Sequence, residues 1–211
     1  MTLFVRLLIA LCLFPPYLYG EKEAEYQLNV HYELLPQAIR TTNATRIEVN
    51  EIFSYHCGHC YDFQEMIHDW SQTFEKDIDF VRTHVVWNPA LESYAKAYNT
   101  ALVLEVVDSV HQAIFEAIHI RKKDIKSQES LQEIFAVSGV DQERFERVFN
   151  SFGVKSMVNK GQARVRGYLT KGTPELVING KYRVTTRLSG GFVNMLKVAD
   201  FLIDKERIGA K

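Results

Sequence analysis

The segment FSYHCGHCYDF, Phe53 to Phe63, puts two cysteines and two histidines into five consecutive positions, His56 to Cys60. Four chemistries use such residues: metal ligation, covalent haem attachment, a structural disulfide, and reversible dithiol–disulfide exchange. A structural zinc site usually draws four ligands from two separated pairs, and this chain has a single CxxC. Covalent haem needs His directly after the second cysteine, and position 61 is Tyr. A disulfide stabilises through loop-closure entropy that grows with loop length, so a bridge across so short a loop is a poor staple. Its strain also makes it easier to reduce.

Reversible exchange is what the placement favours. Arg46 to Ser54, RIEVNEIFS, alternates so that Ile47, Val49, Glu51 and Phe53 share one face of a strand. After Cys57, apolar residues recur at Phe63, Met66, Ile67, Trp70 and Phe74, the spacing of a helix. At such a strand-to-helix junction, unpaired N–H groups and the helix dipole stabilise a thiolate on Cys57. His59 adds positive charge or a hydrogen bond, and Cys60, one turn further in, is the shielded resolving thiol. The motif reads as a redox centre, with zinc or copper binding as the alternative.

The flanking sequence supplies the frame. Asp77 to Trp87 is a second strand, and Asn88–Pro89 marks a boundary. From there to about Gly161 the pattern is helical. One stripe is Val103, Val106, Val107, Val110, Ile114 and Ile118, and another is Phe145, Val148, Phe149 and Phe152. Ser138–Gly139 separates them, with Asp141 as N-cap of the second. PELVINGKYRV then reads as a hairpin turning at Asn179–Gly180. A final helix carries Phe192, Met195, Leu196 and Ala199. His111 and His119 read as packing or surface residues, Arg82 and His84 as electrostatic tuners on the second strand, and Asn43–Ala44–Thr45 as a turn.

The bulk properties set limits. The chain has 211 residues, 46% of them hydrophobic, and a formal charge of −1, which gives no electrostatic reason to bind nucleic acid. MTLFVRLLIALCLFPPYLYG has the layout of a secretory signal peptide, residues 1–20, with Arg6 before an apolar run and cleavage expected after Gly20. The apolar run is too short to span a membrane. Of three cysteines, Cys12 lies in this leader, so Cys57 and Cys60 are the only pair in the mature chain.

With these motifs in place, the chain resembles the bacterial DsbA family of periplasmic thiol oxidases. EIFSYHCGHCYDF, VRTHVVW, NSFGVKSMV and GTPELVINGKYRV match its active-site block, following strand, end of helical insert, and cis-proline loop with hairpin. The resemblance implies an α/β thioredoxin-like fold with an inserted all-helical domain. The expected division is a thioredoxin-like part over 21–88, helical insert over 89–162, and thioredoxin-like remainder over 163–211. It further implies that Cys57 is the exposed nucleophile, Cys60 its partner and His59 the residue stabilising the Cys57 thiolate. Glu51 matches the buried acid beneath the cysteines. Pro174 matches the cis-proline packed against the disulfide, and Thr173 the residue offering backbone hydrogen bonds to an extended substrate.

Three positions depart from the family pattern. Gly58 stands where Pro is usual, Thr173 where Val is usual, and His56 where an aromatic is usual. Thr173 is similar to the periplasmic isomerases, and CGHC to eukaryotic protein disulfide isomerase. Potentials run from about −120 mV for DsbA to about −180 mV for protein disulfide isomerase, a gap of roughly 2.8 kcal/mol. The expectation is therefore a weaker oxidant than a Pro-His relative. The resemblance also implies reduced exported polypeptides as substrates, a quinone-linked membrane oxidase of the DsbB type for recycling, a monomer, and no cofactor or metal. Two rivals remain: an isomerase or reductase on the same fold, and a non-catalytic thioredoxin-like binding protein or chaperone. The segment before Arg46 is too short for the dimerisation domain those isomerases carry.

Overall fold

The chain's computed structural model describes residues 25–209, and the leader reading, with Cys12 and its cleavage point, lies outside them. In chain order the elements are β1 (Glu33–Leu34), β2 (Ile47–Phe53), α1 (Gly58–Gln72) and β3 (Ile78–His84). The helices α2 (Glu92–Val103), α3 (Val107–His119), α4 (Gln128–Val137), α5 (Gln142–Phe149) and α6 (Phe152–Gly167) follow. The hairpin β4 (Glu175–Ile178) and β5 (Tyr182–Thr185), the short α7 (Thr186–Ser189) and α8 (Phe192–Gly209) complete the order.

The sheet runs β1-β5-β4-β2-β3, with β2 and β3 parallel and every other pair antiparallel. Every residue of β2 is buried, because helices cover both faces of the sheet. Ile47 and Val49 pack with Phe63 and Ile67 of α1 and Met195, Val198 and Leu202 of α8. Ile52, on the opposite face, packs with Val165 and Tyr168 of α6 and its end. Phe53 turns instead into the helical block, among Tyr94, Tyr98, Ile114 and Phe115.

That opposite face is also polar. Glu48 is fully buried, ion-paired with Arg164 of α6, and accepts from the Thr42 N–H at 2.8 Å and hydroxyl at 2.7 Å. Asn50 donates to Tyr168 Oη at 3.3 Å and accepts from Thr83 Oγ1 at 3.1 Å. Buried polar groups persist only when so partnered, and together these bonds tie α6 to β2 and β3.

Two details differ from the periodicity. The apolar stripe from Val103 to Ile118 belongs to two helices, because α2 ends at Val103 and Glu105 takes a left-handed φ of 59° before α3 begins. Val103 is thereby left half exposed. Helical structure also continues beyond Gly161 to Gly167. At Gly161 the backbone of α6 passes so close to β3 that a Cβ would lie 3.2 Å from Thr83 Cγ2. The glycine serves that approach and does not end the helix. The expected cap and turns form: Asp141 accepts from the Arg144 N–H at 2.8 Å, and Asn43 Oδ1 accepts from the Thr45 N–H at 2.9 Å.

The hairpin turn has φ of 49° at Asn179 and 63° at Gly180, with the Lys181 N–H donating to Ile178 O at 2.9 Å. Positive φ at both central residues is the type I′ geometry that matches strand twist. A Cβ at Gly180 would also lie 1.9 Å from Ile39 O. Gly180→Ala is expected to lower stability by about 2 kcal/mol or more, a drop in Tm of roughly 4–8 °C for a chain of this size. Thermal unfolding by circular dichroism checks this, and an unchanged Tm would contradict it.

Candidate functional site

The CGHC segment sits where the buried strand β2 gives way to α1. Cys57 is the N-cap of α1, with extended backbone at φ −90° and ψ 117°. The N–H groups of Cys60 and Tyr61 close the first turn onto Cys57 O at 3.1 and 3.2 Å. Cys57 is half-buried, whereas Cys60 has no exposed surface, and both are free thiols. Facing them is the Thr173–Pro174 peptide bond, which is cis. As a thiol, Cys57 donates to Thr173 O at 3.3 Å.

The electrostatics of the two sulfurs are opposite. The Cys57 pKa is lowered to about 5, chiefly by a hydrogen bond from the Cys60 thiol and also by bonds from the Thr173 side chain and the Cys60 and His59 N–H groups, against the effect of burial. Loss of its proton exchanges the bond to Thr173 O for these donors. Burial, reinforced by the neighbouring Cys57 sulfur, pushes the Cys60 thiol far up. The site therefore holds one stabilised thiolate and one thiol that keeps its proton.

The remaining residues singled out by the sequence divide into two groups. Gly58, His59 and His56 are exposed beside Cys57, and His59 Nδ1 lies 4.0 Å from Asp62. Glu51 is buried on β2, paired across the sheet with Arg82 and accepting from its Nε at 2.7 Å. Burial pushes the Glu51 carboxyl up, with the Arg82 guanidinium opposing it. The groups acting directly on Cys60 are Cys57, Ser54 and Thr173. Among the described residues, no group of three or more His, Cys, Asp or Glu is placed to hold a metal ion.

This geometry can be set beside known proteins. The family model described as a DSBA-like thioredoxin domain matches residues 48–195. The chain belongs to the DsbA family. The thiol:disulfide interchange protein DsbA of Pseudomonas aeruginosa is 35% identical over 187 residues, 89% of each chain. DsbA of Bordetella pertussis is 30% identical over 207 residues, 98% of each. The crystal structure of Pseudomonas aeruginosa DsbA superposes with a TM-score of 0.84 at 35% identity, covering 88% of this chain and 96% of that one. DsbA of Xylella fastidiosa superposes with a TM-score of 0.78 at 32% identity, covering 84% and 96%.

Within this DsbA-family fold lies a cluster that periodicity did not mark. Tyr55 is fully buried, and each of its polar groups meets a histidine. Its N–H donates to His84 Nε2 at 3.0 Å, its hydroxyl pairs with His111 Nδ1 at 2.8 Å, and its carbonyl accepts from His119 Nε2 at 2.8 Å. Burial lowers His84 to about 3 and His111 well below its usual value, so both are neutral. By sequence alone His111 and His119 read as packing or surface residues. Their only signal was position: both lie on α3, eight residues apart, too far apart to point to a shared partner.

The lowered Cys57 pKa has a consequence for stability. A folded pKa of about 5 lies below the roughly 8.5 of an unfolded thiol, so its contribution to the reduced fold is complete above that upper value and disappears as pH falls through the lower one. Thiolate absorbance of the reduced protein should titrate with a midpoint near 5. The stability of reduced minus oxidised protein should decline with falling pH across that window; a flat difference would contradict it.

Proposed function

We propose that this DsbA-family protein introduces disulfide bonds into exported polypeptides through a Cys57–Cys60 pair. It is a thiol:disulfide oxidoreductase acting on substrate proteins by disulfide exchange. The observation carrying the residue assignment is the asymmetry of the two thiols: a half-buried Cys57 with pKa about 5 and a buried Cys60 pushed far up.

The cycle follows from that asymmetry. A substrate thiolate attacks Cys57 Sγ of the oxidised pair, breaking the Cys57–Cys60 bond and forming a substrate–Cys57 mixed disulfide. Cys60 leaves as a thiolate and takes up a proton, as its raised pKa favours. We assign Glu51, buried and pushed up, as the residue that moves this proton. The substrate's second thiolate then attacks the substrate sulfur of the mixed disulfide and expels Cys57, a good leaving group because its thiolate is stabilised. The substrate has lost two electrons and two protons; the enzyme holds a Cys57 thiolate and a Cys60 thiol. His59 supports the thiolate, and Thr173–Pro174 docks the substrate backbone by strand addition. The helical block expected over 89–162, whose last helix runs on to Gly167, acts as an insert in a thioredoxin-like domain. The mature protein works as a periplasmic monomer and is reoxidised by a DsbB-like membrane enzyme.

Turnover in oxidative refolding of a reduced substrate should vanish in both Cys57→Ser and Cys60→Ser, since neither can form the Cys57–Cys60 bond. Cys60→Ser offered a disulfide-containing polypeptide should accumulate a mixed disulfide through Cys57, because no Cys60 thiol is there to resolve it. A Cys57→Ser protein with full activity would favour a non-catalytic binding protein. Gly58 and Thr173 favour an isomerase as the second reading. Titration of the pair against glutathione separates the two: a potential of about −120 mV supports the oxidase, and one of about −200 mV or below the isomerase or reductase.

Gly58 offers a further test of poise. It is the first residue of α1, and a Cβ there would meet nothing within 4 Å. Proline is accepted at the first helical position, so Gly58→Pro should fold normally and shift the potential towards about −120 mV. A more reducing variant, by the same titration, would overturn this account of its poise.

A further inference from the structure

We propose that His119 is a positioning residue for this exchange reaction: by donating to Tyr55 O it fixes the turn that carries Cys57, and so sets the oxidising power of the pair from the helical block. The proposal rests on the assignment of Cys57 and Cys60 as the redox pair.

The CGHC segment is entered through Ser54, Tyr55 and His56, a tight turn in which the Cys57 N–H bonds to Ser54 O at 3.0 Å and the His56 N–H to Ser54 Oγ at 3.2 Å. Buried within it is the Tyr55 carbonyl, which accepts from His119 Nε2 at 2.8 Å. A carbonyl can only accept, so His119 carries its proton on Nε2. The same imidazole stacks on Tyr61, with centroids 5.0 Å apart and planes 16° from parallel. Tyr55 lies two residues before Cys57, and Tyr61 directly follows Cys60. One side chain at the C-terminal end of α3 therefore touches both flanks of the motif.

The effect must differ between the two redox states. In the oxidised enzyme a covalent S–S bond holds the two sulfurs together whatever their flanks do. In the reduced enzyme the Cys57 thiolate is held only by hydrogen bonds, from the Cys60 thiol, the Thr173 side chain and the His59 and Cys60 N–H groups. Such bonds weaken steeply with distance and angle, so they need the sulfur kept in one place. Loosening the Tyr55 turn therefore withdraws stabilisation from the reduced form and leaves the disulfide form nearly untouched. His111 and His84 hold the other two polar groups of Tyr55, but neither is placed against both flanks.

The test separates the donor from the ring. His119→Phe keeps the stack on Tyr61 and loses the N–H; His119→Gln keeps an N–H donor of similar reach and loses the stack. Two quantities are read: the Cys57 pKa from thiolate absorbance, and the equilibrium constant for oxidised enzyme plus two glutathione thiols giving reduced enzyme plus glutathione disulfide. His119→Phe should raise the pKa by about half a unit, which lowers the constant about threefold at neutral pH. His119→Gln should restore both to near the parent values. Parent values in His119→Phe, or equal shifts in both variants, would overturn the proposal. His119→Leu replaces His119→Phe if the phenyl ring disturbs folding, and the same two outcomes apply.

Discussion

The stabilised sulfur at the start of α1 is the constraint around which the rest of the molecule is arranged. A thiolate there is favoured only if its donors converge on it: the Cys60 thiol one turn deeper, the first N–H groups of α1 and the Thr173 side chain arriving from the start of the hairpin. Those donors come from segments more than a hundred residues apart in sequence. Their convergence depends on β2 lying between β3 and β4, where its end delivers Cys57 directly opposite the Thr173–Pro174 bond. Because β2 is buried on both sides, it cannot slide or twist without exposing its apolar residues or breaking its polar partnerships.

The polar contents of the interior serve the same end. Glu48 with Arg164, and Asn50 with Tyr168 and Thr83, anchor α6 across one face of the sheet. Glu51 with Arg82 occupies the other face. A buried ion pair is a weak source of net stability, since desolvation offsets most of its attraction, yet breaking one partner is costly. The Glu48–Arg164 pair holds α6 on β2, and the Glu51–Arg82 pair joins β2 to β3. Where the helical block meets the motif, Tyr55 is the junction, with His84 reaching it from β3 and His111 and His119 from α3.

Redox poise in this arrangement is a difference between two states, each held by other means. The disulfide needs little from its surroundings; the reduced form, with its Cys57 thiolate, needs several donors in place at once. The lowering of the Cys57 pKa to about 5 is the direction that stabilises the reduced form and so confers oxidising power. An exposed Gly58 leaves the first turn of the helix with more freedom in the unfolded and loosened states than proline would.

Much of this was legible in the residues alone. The CxxC at a strand-to-helix junction placed Cys57 at a helix start, where the structure has it as the N-cap of α1, because residue type and local spacing are sufficient for that. Alternation over Ile47–Phe53 and the Asn179–Gly180 turn located the strands, since both patterns act within a few residues. Alternation put Glu51 on the apolar face of its strand, but its role, and any attention to Thr173 and Pro174, came from resemblance to a family. What only the tertiary structure decided was long-range and polar: the pairing of Glu51 with Arg82, the break between α2 and α3 inside one apolar stripe, and the meeting of Tyr55 with three histidines. Periodicity reports which face of an element is buried, not which distant group meets it there. Hydrogen bonds to Tyr55 across 29, 56 and 64 residues leave no local trace, and only the folded chain brings those partners within reach.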